Sequence, residues 1–379
     1  MGRDDFDIEE REEEIKVELM EKWANGKKVP PFELQFPMTY NCNLFCKFCL
    51  IGQRRCTHQE RKEYSEISGE KWLKIVEQAG EMGVKKIDIA GGGEPFFSEN
   101  PIEVLKKIKS EGIFGTLITN GTLLKEQDLR TLVDVEYDSI GFSIDSPYAK
   151  GHDYIRGGKG IFKRAVDSIK TLKHYKNETG KRRPRITINT VLTNKNYKDI
   201  EGMLRLTKEL GADGLQLYSL HDAYDFPHLK LSDSQSAHFR DKIDGLTSLA
   251  EELNIGHNLE DFKEEDVIEK ASDMEEVILK DFSGERKGII EAPCFLPWLH
   301  MEINARGFLG VCPGSTEKFE SRIGERTLKD VWENDGYINK FRRRILEGNL
   351  PKLCSECCTP VYGSNKRLKG MLKEKMQSK

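Results

Sequence analysis

The chain has 379 residues, with 60 Lys and Arg against 64 Asp and Glu for a formal net charge of −4. That length holds one large domain and a smaller one, and that balance offers no basic field for a nucleic acid. No apolar run approaches a membrane span and the acidic start, MGRDDFDIEEREEEIKVELMEKW, lacks the apolar core of a signal peptide.

The expected location is therefore cytoplasmic, where nine cysteines serve as metal ligands or catalytic groups rather than disulfides. In chain order, residues 1–32 read as an acidic N-terminal helical segment, a solvated cover. A βα alternation follows over 33–220. Short apolar or alternating runs predict strands at 33–40, 85–91, 114–120, 139–145, 185–193 and 214–220. Helical patterns fall between them at 68–82, 101–111, 126–133, 160–176 and 196–210; in the fourth, Ile161, Phe162, Ala165, Ile169 and Leu172 recur at near-helical spacing. Repeated strand–helix units favour a parallel sheet with right-handed crossovers. Six strands followed by a polar segment predict an α/β fold, a partial (β/α)6 TIM-like barrel. Residues 221–288 read as a helical linker, charged and solvated over 260–288. In 289–379, alternating HMEIN, then ARG, then FLGVC predicts a β-hairpin, and the helical TLKDVWENDGYINKFRRRIL precedes LCSECC.

Active sites of parallel α/β folds gather at the carboxyl edge of the sheet. YNC leaves the first strand, GGGEP the second, TNG the third and SIDSP the fourth, so these groups converge on one mouth. Within YNCNLFCKFC, Cys42, Cys46 and Cys49 are spaced C-x3-C-x2-C. Four thiolates would suit a structural zinc or a closed iron–sulfur cluster. Three leave one metal position open.

Those cysteines after a first strand, with GGGEP after the second, resemble the radical S-adenosylmethionine (SAM) superfamily, over a core from about 33 to 220. The resemblance implies that Cys42, Cys46 and Cys49 hold three irons of a [4Fe-4S] cluster whose fourth iron is chelated by SAM. Cleavage of SAM by the reduced cluster would give a 5′-deoxyadenosyl radical that abstracts a substrate hydrogen; the protein positions and shields that chemistry. The other implied SAM contacts are Phe48 beside the adenine, Gly91, Gly92 and Gly93 allowing close backbone approach, and Glu94 accepting the SAM ammonium. Pro95 would stiffen the turn. Ser143 and Asp145 share one side of a strand and would meet the ribose, Arg156 would pair with the SAM carboxylate, and Thr119 and Asn120 would line the mouth.

The C-terminal hairpin, helix and returning C-x2-C resemble the twitch or SPASM extension of that superfamily, here a twitch/SPASM-like β-hairpin–helix domain over 289–379. Cys294, Cys312, Cys354 and Cys357 would hold a second [4Fe-4S] cluster, closed to substrate and suited to electron transfer; Cys358 could replace Cys357, and zinc is the alternative for four thiolates. The leading expectation is a radical SAM oxidoreductase that dehydrogenates a small polyol or sugar-like alcohol, with the auxiliary cluster as electron acceptor and a flavodoxin or ferredoxin as electron donor. Epimerisation, dehydration and SPASM-type peptide modification are the alternatives within the family. From another class come a non-catalytic Fe–S electron carrier and a zinc-binding regulator. Cys56 would be a hydrogen-atom donor only in an epimerase, and His58, His152, His221 and His300 are candidate bases without diagnostic spacing.

Overall fold

The structure, a computed structural model, describes residues 7–51, 53, 64–220, 226–263, 289–312, 321–350, 354 and 359–377. Its frame is one mostly parallel sheet. The six expected strands are present, as β1 (Glu33–Gln35), β2 (Lys86–Ile89), β3 (Phe114–Thr119), β4 (Ser139–Ser143), β5 (Arg185–Val191) and β6 (Gly214–Tyr218). Each pairs in parallel with the next. Helices complete the units: α1 (Asp7–Ala24) precedes β1, and α2 (Gly69–Met82), α3 (Pro101–Ser110), α4 (Glu126–Asp134), α5 (Ala149–Arg156), α6 (Ile161–Thr179) and α7 (Ile200–Leu210) follow in turn.

The local causes are visible in α2. Ser68 caps its start by accepting from the Lys71 N–H, and Gly83, at φ 81°, ends it in the left-handed conformation. Trp72, Ile75, Val76 and Ala79 form its buried stripe, and Trp72 meets Phe36 with ring centroids 4.8 Å apart. In α6 the spaced Ile161, Ala165, Ile169 and Leu172 are buried, whereas Phe162 is half-buried against His152. Helix α7 starts four residues later than the sequence pattern suggests. Asn196 first closes a turn, accepting from the N–H and hydroxyl of Thr193, so the segment before Ile200 is spent on that turn.

Two features lie beyond the six units. Within 221–288, expected to be a helical linker, α8 (Asp233–Glu252) buries Phe239, Ile243 and Leu246, and β7 (Gly256–His257) extends the sheet beside β6. That segment continues the fold as far as it is described. The expected hairpin forms as β8 (His300–Ile303) and antiparallel β9 (Leu309–Gly310), turned by Asn304, whose side chain accepts from the Arg306 and Phe308 N–H groups, and by Gly307 at φ 80°. It is not a freestanding unit: β8 lies parallel against β1, giving the strand order β7-β6-β5-β4-β3-β2-β1-β8-β9. Among the described residues the end strands of that order are not paired with each other, so the sheet is open. Helices α9 (Leu328–Asn334), α10 (Gly336–Glu347) and α11 (Thr359–Gln377) follow the hairpin, and no helix among the described residues is long and apolar enough to cross a membrane.

Candidate active site

The loop leaving β1 carries Cys42, Cys46 and Cys49 at the carboxyl edge of the sheet. Cys49 N–H donates to the Cys46 carbonyl at 3.1 Å, which makes the C-x2-C a turn. Leu44, Cys46 and Ile161 form a small buried cluster against which Cys42, Phe48 and Cys49 pack. The loop is tied down on several sides. Asn43 donates to Thr122 Oγ1 at 2.7 Å and accepts from Asn120 Nδ2 at 2.9 Å. Thr39 Oγ1 and the Tyr40 N–H each donate to Glu66 at 2.8 Å, and the Lys47 N–H donates to the Ile155 carbonyl at 2.9 Å.

The GGGEP glycines serve that same loop. A Cβ on Gly93 would sit 2.0 Å from the Asn41 carbonyl oxygen, and one on Gly92, at φ 65°, 2.5 Å from the Thr39 carbonyl oxygen. In place of side chains there are backbone bonds: Gly93 N–H to Thr39 O at 2.6 Å and Glu94 N–H to Asn41 O at 2.9 Å. The sequence suggested close approach to a ligand. The close approach found is to the backbone that carries Cys42. Gly91 is different, with Gln35 and Pro37 as its nearest neighbours.

Glu94 is buried where Pro95 starts a short 3-10 turn. Its carboxylate accepts from Thr119 Oγ1 at 2.5 Å and from the Asn120 N–H at 2.8 Å. Burial raises its pKa to about 7 despite those bonds. Thr119 and Asn120 thus act by fixing Glu94, and Asn120 also links it to the cysteine loop.

Asp145 and Arg156 form a pair with each other. Arg156 donates from Nε to Asp145 Oδ2 at 2.5 Å and from Nη2 to Oδ1 at 3.2 Å, and Oδ1 also accepts from the Val191 N–H at 2.8 Å. With no exposed surface, Asp145 cannot meet a ribose in this conformation. The third guanidinium nitrogen, Nη1, lies 3.9 Å from Cys46 Sγ, and the guanidinium carbon is 5.0 Å from the Phe48 ring centroid. Burial opposes the Arg156 cation, but Asp145 and then Cys46 outweigh it and hold its pKa above the ordinary value. Ser143, the last residue of β4, is buried two residues before Asp145.

The candidate bases separate. His152 is buried, accepts from the Asp145 N–H at 3.2 Å, and burial lowers its pKa to about 4, so it is neutral at pH 7 and structural. His300 lies at the opposite end of the sheet, on the first residue of β8. His58, His221 and Cys56 lie outside the described residues. So do Cys357 and Cys358. Of the C-terminal thiols, Cys294, Cys312 and Cys354 are half-buried and not in disulfides, and Asn365 Nδ2 approaches Cys294 Sγ at 3.5 Å.

These residues suit an iron–sulfur cluster. Among the described residues no set of three His, Cys, Asp or Glu side chains could hold a single metal ion, so the three sulfurs of the first loop are not gathered around a point. Burial pushes the Cys42 thiol up and the Cys46 thiol to about 12, with the neighbouring cysteines adding to both and Arg156 opposing. Such thiols become thiolates against a cationic group, and spread sulfurs fit a multi-iron cluster better than one ion. Asn43, Glu66 and Asn196 were not singled out by sequence. Asn in a turn-rich loop was the only signal available for the first and third.

The family model of the radical SAM superfamily matches residues 36–207, and that of the SPASM iron–sulfur cluster-binding domain matches 294–358. Over 340 residues the chain is 27% identical to the tungsten-containing aldehyde ferredoxin oxidoreductase cofactor-modifying protein of Pyrococcus furiosus, covering 86% of each chain. It is 29% identical over 333 residues to the PqqA peptide cyclase of Gluconobacter oxydans, covering 86% of this chain and 83% of that protein. The fold is shared with Streptococcus suis SuiB bound to S-adenosylmethionine, at a TM-score of 0.62 and 21% identity, over 89% of this chain and 74% of that one.

Proposed function

We propose, from the premise that the chain belongs to the radical SAM superfamily and carries a C-terminal SPASM domain, that it is an enzyme which modifies a peptide. The observation that carries this is the 29% identity to a PqqA peptide cyclase through 86% of the chain. Peptide modification, an alternative in the sequence reading, has the better support; dehydrogenation of a polyol or sugar-like alcohol draws none from the relatives described. The cofactors are SAM and [4Fe-4S] clusters. Cys42, Cys46 and Cys49 would hold one cluster, and Cys294, Cys312 and Cys354 with Cys357 or Cys358 the other. A SAM-bearing cluster supplies reductive cleavage of SAM and hydrogen-atom abstraction.

The chain's own residues then have defined tasks. Glu94, held by Thr119 and the Asn120 N–H, would accept an ammonium, whose positive charge stabilises the ionised carboxylate that burial disfavours. Phe48, beside the cysteines, offers a ring face to an adenine. Arg156 places positive charge beside Cys46 and keeps Asp145 fixed, so the loop keeps its shape when its thiols ionise. Leu44 and Ile161 exclude water from the sulfurs. A flavodoxin or ferredoxin would deliver the electron.

The likeness to a cofactor-modifying protein gives a second reading, a small-molecule substrate. One experiment separates the two. The reconstituted enzyme is incubated anaerobically with SAM, reductant and a cell extract split into peptide and small-metabolite fractions, and 5′-deoxyadenosine is measured. The peptide fraction should stimulate its release, and protease treatment of that fraction should abolish the stimulation. Protease-resistant stimulation by the metabolite fraction would replace the peptide reading with the small-molecule one.

A further inference from the structure

The interior of the sheet holds a polar set that the cysteine mouth does not use. Phe36 packs on Trp72 of α2, so Leu34 and Phe36 face the helices while Glu33 and Gln35 face the other side. Register places Lys86 and His300 beside Glu33, and Asp88 and Glu302 beside Gln35, on that same inner face. Lys86 Nζ bridges Glu33 Oε2 and Asp88 Oδ2, both at 3.2 Å, and lies 3.9 Å from Glu12 Oε2 of α1, which closes this end. His300 Nδ1 is 2.8 Å from Glu33 Oε1.

Polar groups on this face are left over. His300 Nε2 and Asp88 Oδ1 are buried without a hydrogen-bond partner among the described residues. Glu302 is 9% exposed, and its carboxylate is supported by the charge of His300 without a hydrogen bond. Buried acceptors left unpaired are costly, and a chain normally satisfies them. The interior also has room. The side chains of Glu33 and Asp88 keep 18% and 21% of their surface although they lie inside the sheet. Tyr218 at the end of β6 is half exposed, yet burial, with Asp88, raises its pKa, as expected of a side chain lining concave space. At its upper end the set reaches the mouth: Gln35 Nε2 donates to the Ala90 carbonyl at 3.4 Å, one residue before Gly91.

The charges say what fits. Lys86 is the cation that the inner face sets against Glu33, Asp88 and Glu302, and it already serves the first two. What remains is the Glu302 carboxylate, Asp88 Oδ1 and, in the neutral ring, an imidazole acceptor. All are acceptors and call for a donor with positive charge. No set of three side chains among the described residues could hold a metal ion, which leaves an organic cation. We propose that this interior is a subsite for a basic side chain of the substrate, the ammonium of Lys or the guanidinium of Arg, seated against Glu302. The proposal rests on the peptide reading above and narrows it to peptides with such a residue near the modified position.

The test needs no peptide. Full-length reconstituted enzyme is titrated calorimetrically at pH 7 with n-butylammonium and n-butylguanidinium, and with n-butanol and butyrate as neutral and anionic controls. Two buffers of different ionisation enthalpy are used. Burial raises the Glu302 pKa to about 7, with His300 opposing; Glu33, Lys86 and Asp88 share its face by register, Tyr218 lies near Asp88, and Glu12 of α1 lies beyond Lys86. A cation seated there should expel about half a proton at pH 7. The expected result is binding of the cations over both controls, with proton release, and at least tenfold weaker binding without proton release in Glu302→Gln. Equal binding of butanol, or undiminished binding in a folded Glu302→Gln, overturns the proposal. Should that variant not fold, the absence of buffer-dependent heat in the wild type overturns it alone. Failure here leaves the peptide reading intact. Failure of the peptide-fraction experiment leaves the subsite to an amine-bearing small molecule.

Discussion

The guanidinium of Arg156 grips both oxygens of Asp145 and keeps its third nitrogen 3.9 Å from Cys46 Sγ. One residue therefore joins the end of β4 to the cysteine loop, and through Asp145 it also holds the Val191 N–H of β5. This differs from the sequence expectation, in which Arg156 was to meet a carboxylate of SAM and Asp145 its ribose. Arg156→Ala removes one partner of a buried ion pair and leaves Asp145 charged and unpaired. Such a change costs about 3–5 kcal/mol, and guanidinium chloride denaturation of the apoprotein should show it. Arg156→Lys keeps the charge but loses the fork, so it should recover part of the loss. A fully stable Arg156→Ala would show that the pair is dispensable to the fold.

Glu94 gives a pH prediction. Its folded pKa, about 7, lies above the usual carboxylate value, so the group is ionised above pH 7 and protonated below. Only the ionised form attracts the SAM ammonium. SAM affinity in the wild type should thus fall as pH drops through 7, steepening toward about tenfold per unit below it. Glu94→Gln should bind SAM more weakly and lose this slope. Equilibrium titration from about pH 5.5 to about pH 8.5 brackets that pKa and measures both; parallel curves would remove Glu94 from the ammonium site.

The strands were legible because their chemistry is local. The run SIGFS is buried throughout as β4, and the helical spacing of Ile161, Ala165, Ile169 and Leu172 survives as the core face of α6. What the sequence could not show is choice of partner. Glu33 and His300 stand 267 residues apart and meet only because β8 docks on β1; nothing local in either segment signals that pairing. The arginine of HDYIRGG stands out in the sequence, whereas the short helix it belongs to, α5, carries too few turns to show a pattern. At the site the sequence shows residue types and not their contacts: Asp145 and Arg156 pair with each other, and the glycine run packs on the backbone of the cysteine loop.

Iron content tests the two-cluster reading. The reconstituted protein should hold about eight irons, and Cys42, Cys46 and Cys49 replaced together by Ala should leave about four and abolish SAM cleavage, because thiolates hold the cluster. Replacing Cys294, Cys312 and Cys354 by Ala should also leave about four, with SAM cleavage retained. Iron analysis and 5′-deoxyadenosine release under reductant decide it. Persistent cleavage in the first variant would remove the loop from the chemistry.

Two glycines separate contact from conformation. Gly93 has an ordinary φ, so its constraint is space: a Cβ there would lie 2.0 Å from the Asn41 oxygen and 2.9 Å from the Asn41 nitrogen, both backbone atoms of the cysteine loop. Gly83 has φ 81°, and a Cβ on it would meet nothing within 4 Å, so its constraint is conformation alone. Gly83→Ala should cost about 1–2 kcal/mol for a left-handed residue, without loss of iron or of SAM binding. Gly93→Ala must push the Cys42 segment aside or break the Gly93–Thr39 and Glu94–Asn41 bonds. Overpacking alone costs about 1–3 kcal/mol. The displacement should in addition reduce iron bound by the first loop and weaken SAM binding, since Glu94 follows directly. Denaturation, iron analysis and SAM titration on both variants make the comparison. Equal iron and SAM affinity in the two would mean that the glycine run serves only the turn; loss confined to Gly93→Ala would assign it to holding the cysteine loop in place.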